Sequence, residues 1–251
     1  MSALVERWKK SSLARVFFET LLIVVGVLLA FQLDRWYEAQ QQATQVQDYL
    51  ARLIVDVEED METLNYQSRT FERRSGYTKL LIEALENPSL VREDPRRYIV
   101  AVQQTGWRTN FFTNSYTFEE LQNTGDLALL PLTIRRELYR YHHQNDHLNQ
   151  FLPTVAGNQL EYYRRFAGLL DFDQVMLSGD PNLGDYVGSN LREITEQEAV
   201  QVFERFRKNK EAIAWLPWLM NTHYQAIRMN RRYQNSATAL LDMLKQAQVG
   251  S

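Results

Sequence analysis

The chain of 251 residues contains no cysteine, which excludes disulfides, thiolate metal sites and a cysteine nucleophile, and is compatible with either side of a membrane. Strand signals are nearly absent too. The one β-branched run, Ile99, Val100 and Val102, is short and lies within a helix-like pattern. There is no phosphate loop, nucleophile elbow or zincin helix, and no repeat of solenoid period. Positive charge is scarce beyond the N-terminus. Residues 1–15 carry Arg7, Lys9, Lys10 and Arg15 against Glu6 alone, and the remainder holds 24 basic and 30 acidic residues, a poor match for nucleic acid. These absences point to a protein that is not an enzyme, uses no cofactor and has no nucleic-acid partner.

One long apolar run organises what is present. Residues 13–33 would reach about 31 Å as a helix, the thickness of a bilayer's hydrocarbon core. Residues 21–31 carry no ionisable side chain, and only a helix satisfies every backbone polar group in lipid. Trp8 precedes the run, and Trp36 with Tyr37 follows it, as aromatic rings do at headgroup level. Basic residues gather before the span, whereas Arg35 and Arg52 are the only ones soon after it, so the N-terminus is expected in the cytoplasm. No A-x-A-like site follows Ala30, which argues for an uncleaved anchor over a signal peptide. Inside the span, Glu19 can reach the interface or pair with Arg15, the alternative being a role in ion coupling or sensing. Gly26 and Ala30 make a small-xxx-small pair that lets two helix backbones approach.

Past residue 37, apolar residues step by three and four. Val46, Leu50, Leu53, Val57, Met61, Leu64, Ser68, Phe71, Ser75, Thr78, Ile82 and Leu85 mark a first long helix, which Asn87-Pro88 stops. Its acidic run, Glu58, Glu59, Asp60 and Glu62, reads as a solvated face. Asp94-Pro95 opens a short helix ending at Gly106. An elbow follows, in which Thr117 and Glu120 have capping-box spacing, Phe118 and Leu121 point inward, and Gly125 suits a left-handed turn. A second long helix runs from Pro131 to near Gly168 with a kink expected at Pro153, and residues 171–190 read as a loop. Thr195 and Glu198 repeat the capping-box spacing. Pro217 is expected to kink or divide the last long helix.

The fold class expected is all-α, an N-terminal transmembrane helix followed by an antiparallel bundle of long helices. The organisation expected is a cytoplasmic tail (1–12), the anchor (13–36), an extracytoplasmic helical domain (37–247) and a short tail (248–251). About 215 residues beyond the anchor suffice for one good core. The one route to an enzyme is a metal-dependent hydrolase, with His143 and His147 one turn apart and His223 of the last helix as a third ligand. Helix surface is the simpler reading for the hydrophilic patch that holds His142, His143 and His147, and no metal is expected. The tryptophans Trp215 and Trp218 are read as core and interface.

Two stretches resemble a family of small bacterial membrane proteins known only as a domain of unknown function. Glu19, Gly26, Ala30, Trp36 and Glu38 occupy the places of its anchor pattern, with Tyr37 where the family has asparagine. The second signature, a Tyr-Glu-Glu-Leu stretch followed by a turn and leucines, is similar to the segment holding Tyr116, Glu119, Glu120, Leu121, Gly125 and Leu127. The resemblance implies a bacterial cell membrane and no known activity. Together these readings describe a membrane-anchored protein that binds a partner protein or further copies of itself.

Overall fold

The computed structural model describes residues 2–107, 113, 116–175 and 192–249, with the side chains of 2–16, 18 and 172 left aside. Among the described residues every regular element is a helix and there is no strand. The first helix, α1 (Ser2–Glu86), is followed by α2 (Ser89–Glu93), α3 (Pro95–Gln104) and α4 (Tyr116–Thr124). A 3-10 turn (Asp126–Leu129) leads to α5 (Leu132–Phe166), α6 (Phe172–Val175), α7 (Glu196–Lys208) and α8 (Lys210–Val249). Most of the loop expected at 171–190 lies outside the described residues.

The apolar run and the first amphipathic stripe belong to one uninterrupted helix of 85 residues. No glycine or proline falls between residues 37 and 45, so nothing breaks the hydrogen-bond ladder there. Local signals set the other ends. Asp94 accepts the backbone N–H of Arg97 at 2.9 Å, with Pro95 at the first helical position. Thr195 and Glu198 close the expected capping box on α7. Gly125 (φ 82°) and Gly168 (φ 85°) take left-handed turns after α4 and α5. Neither proline divides its helix. Pro217 removes the donor that Ile213 would have used, which costs about 3 kcal/mol, but the fully buried Leu216 and Leu219 on either side hold α8 in place.

Three helices form the bundle. As numbering rises along α1 it falls along α8: Glu58 pairs with Lys245 at 2.7 Å, the Leu64 carbonyl accepts from Asn230 at 2.8 Å, and Ser75 meets Met220 at 3.3 Å. The same inverse order relates α5 and α8, with Tyr141 beside Tyr233 and Asn158 bonded to Thr222. Apolar packing falls into two main blocks. The one nearer the apolar run holds Leu50, Leu53, Val57, Leu64, Phe118, Leu138, Tyr141, Tyr233 and Leu240. The far one joins Leu81, Tyr98, Ile99, Tyr162, Phe203, Phe206 and Leu216. Each such side chain contributes roughly 1.5–3 kcal/mol on full burial. Between them Phe71, Val155 and Ala226 form a small cluster, and polar side chains fill the same level.

Candidate functional site

An exposed apolar stripe lies on α1, and the elbow and two buried polar clusters contact the same helix. Among the described side chains of residues 17–36 the large apolar ones stand exposed, Leu22 and Ile23 at 68% and Phe31 at 61%. The helix is long and apolar enough to cross a membrane by length and composition. Glu19, Gly26 and Ala30 are all exposed, and steps of seven and four return to nearly the same angle, so they share one stripe. A Cβ placed at Gly26 would meet nothing within 4 Å. Trp36 is 65% exposed at the far end of the run.

The elbow clasps α1 where it enters the bundle. Arg52 holds the Glu120 carboxylate through both guanidinium nitrogens, one at 3.1 Å, and this partner keeps the Glu120 pKa below the usual carboxylate value. Asp126 accepts from the Tyr49 hydroxyl at 2.7 Å and from the Gln45 amide at 3.0 Å. Phe118 and Leu121 point inward as expected, and Phe118 stacks on His142 with ring centroids 3.7 Å apart. The capping box at Thr117 does not form. The helix begins at Tyr116, so Thr117 lies in its first turn, and the Thr117 N–H is taken by Asp56 of α1 at 3.2 Å, while Glu120 turns to Arg52. Tyr116 and Glu119 face outward, and Tyr116 is 77% exposed.

Asp60 corrects the reading of the acidic run. Glu58, Glu59 and Glu62 are exposed, but Asp60 is buried at 1% exposure, accepting hydroxyl hydrogens from Tyr141 and, at 3.3 Å, from Tyr233. Burial raises both tyrosine pKa values, so the hydroxyls stay protonated and the carboxylate is the acceptor. One level further from the apolar run lies a second buried cluster. There His223, fully buried, sets Nδ1 3.4 Å from the Thr78 hydroxyl, which is 2.8 Å from that of Thr105. Burial, with the nearby Arg74 charge, lowers the His223 pKa to about 3. Burial likewise lowers that of His142, to about 4. Asp60 and Arg74 escaped the sequence reading because charge in a helical stripe is more often exposed.

The three-histidine metal site is not assembled. His143 and His147 lie exposed on α5, with Nε2 atoms 3.2 Å apart. Arg232 and Met229 are the α8 residues beside His147. His223 is six to nine positions away along α8, about 9–14 Å, and points into the core toward α1. Among the described residues no group of three or more histidine, aspartate or glutamate side chains could hold a metal ion. Trp215 is half-buried and donates to the Asn158 carbonyl at 2.9 Å, whereas Trp218 is 60% exposed.

No protein family, curated protein or solved structure matches this chain.

Proposed function

We propose that the protein is a single-pass anchor carrying an interaction domain, lodged in a bacterial inner membrane with residues 1–12 in the cytoplasm and residues 37–247 outside. The observation that carries this reading is the continuity of α1, which passes without a break from an uncovered apolar segment into the core of a packed domain. Large apolar side chains left in water along some 20 residues would be unstable, and lipid is the environment that fits their length and composition. The excess of basic residues before the apolar run supports this orientation. Glu19, Gly26 and Ala30 of the first resembling motif share the exposed stripe, and the second motif lies in the elbow, which agrees with a role in assembly. Glu19, Gly26 and Ala30 on one face offer close backbone approach to a second span, from a copy of the chain or from a membrane-protein partner.

Protease added to intact spheroplasts is expected to digest the helical domain. A domain that stayed protected until the membrane was broken would reverse the orientation. A second reading, an ion-coupled or sensory subunit, draws on the place of Glu19 on the same stripe as Gly26 and Ala30. Glu19→Gln is expected to insert normally and to keep the set of proteins that co-purify from native membrane. Loss of that set with normal insertion would favour coupling through the carboxyl group.

A further inference from the structure

His143 and His147 sit one turn apart on the solvent side of α5, and their Nε2 atoms are 3.2 Å from each other. Two ligands held about 2.0–2.1 Å from a tetrahedral ion stand about 3.3–3.4 Å apart, and cis ligands of a square-planar ion about 2.9 Å. The hydrogen-bonded pair thus already stands close to the bite of a tetrahedral chelate. Among the described residues neither Nε2 bonds to anything but the other. On the His147 side of the pair, in the groove between α5 and α8, Met229 lines the same pocket as His147, Gln144 and Arg232. A methionine has three rotatable side-chain bonds, which let its sulfur swing toward a neighbouring site.

We propose that His143, His147 and Met229 form a surface site for a single Cu(I) ion. The ligand chemistry selects that ion: imidazole suits zinc and copper alike, but a thioether is a soft ligand that favours Cu(I). The Arg232 guanidinium in the same pocket adds to the preference, since it repels a divalent ion about twice as strongly as a monovalent one at equal distance. With two nitrogens and one sulfur the ion is held without any carboxylate or thiolate, in keeping with a chain that has no cysteine. His143 and His147 are exposed and Met229 is half-buried at the edge of the core, so the site can load after folding.

The test titrates the full-length protein in detergent, under anaerobic conditions, with Cu(I) against a chromophoric Cu(I) chelator, and with Zn(II) in parallel. One Cu(I) per chain is expected. His143→Ala and His147→Ala should each weaken it by roughly tenfold or more, and Met229→Leu by about tenfold for Cu(I) with no change for Zn(II). Unchanged thermal melting of these variants without metal would show that folding is intact. Failure to retain stoichiometric Cu(I), or histidine variants that bind like the parent, would overturn the site. Zinc bound as tightly as Cu(I), with Met229→Leu silent, would overturn its assignment to copper.

Discussion

Replacing Asp60 with alanine should lower the stability of the helical domain by roughly 2–4 kcal/mol, because two buried tyrosine hydroxyls lose their acceptor and each orphaned group costs about 1–3 kcal/mol. Tyr141 and Tyr233 reach Asp60 from α5 and α8, so this carboxylate is where all three long helices are tied at one level. Glu62→Ala, two residues further along the same acidic run but exposed, should change stability by less than about 0.5 kcal/mol. Asp60→Asn, which keeps one carbonyl acceptor, should fall between them. Urea midpoints of the detergent-solubilised chain measure the series. An Asp60→Ala variant as stable as Glu62→Ala would show that the trio contributes nothing to holding the bundle together.

Acid should destabilise the domain well before its carboxylates titrate. His223 and His142 have folded-state pKa values of about 3 and about 4, both depressed chiefly by burial. In an unfolded chain each would titrate near 6.5. Above that value neither state binds the proton and the histidines contribute nothing to the pH dependence. Below it the unfolded chain takes up protons that the folded chain refuses, so stability falls by up to about 1.4 kcal/mol per pH unit for each histidine. Between pH 6.5 and 5 the pair costs at most about 4 kcal/mol, and roughly half of that is expected once the rings rehydrate by local relaxation. Glu120, Glu161 and Glu198 have pKa values lowered below the ordinary 4.5, held down by Arg52, by Arg165 and by the Thr195 backbone N–H. Their stabilising effect disappears only at lower pH. Urea midpoints at pH 7, 6 and 5 for the parent and for His223→Gln should show a slope roughly halved in the variant. Parallel slopes would mean that His223 is protonated in the folded state as easily as in the unfolded one.

Much of the architecture was legible because it follows from local pattern. The stripe from Val46 to Leu85 maps onto the buried side of α1, where Leu50, Leu53, Val57, Leu64 and Phe71 are buried, and the polar positions Ser75 and Thr78 mark the level where apolar packing gives way. The caps at Asp94 and Thr195 and the turn at Gly125 were readable for the same reason, since their partners lie within a few residues. What escaped depends on distant partners. Asp60 lies between Val57 and Leu64 at helical spacing, yet its burial is decided by hydroxyls 81 and 173 residues away. Thr117 had the local signature of a cap, but Asp56, 61 residues earlier, occupies its place. The register between α5 and α8, set by pairs such as Asn158 with Thr222, is what separates His223 from His143 and His147. No periodicity within one helix contains that register.

An unbroken α1 also makes the short polar stretch between Trp36 and the first elbow contact at Gln45 a setting of phase as well as of height. Each residue in an α-helix adds about 1.5 Å of length and about 100° of turn. One residue added there would swing the face bearing Gly26 and Ala30 through more than a quarter circle relative to the Arg52 and Glu120 clasp, while lifting the domain by little. Seven residues would nearly restore the angle and raise the domain by about 10 Å. Anything that touched both the apolar segment and the bundle would therefore read the length of this stretch as an angle, and a rod without a hinge cannot correct an error in it.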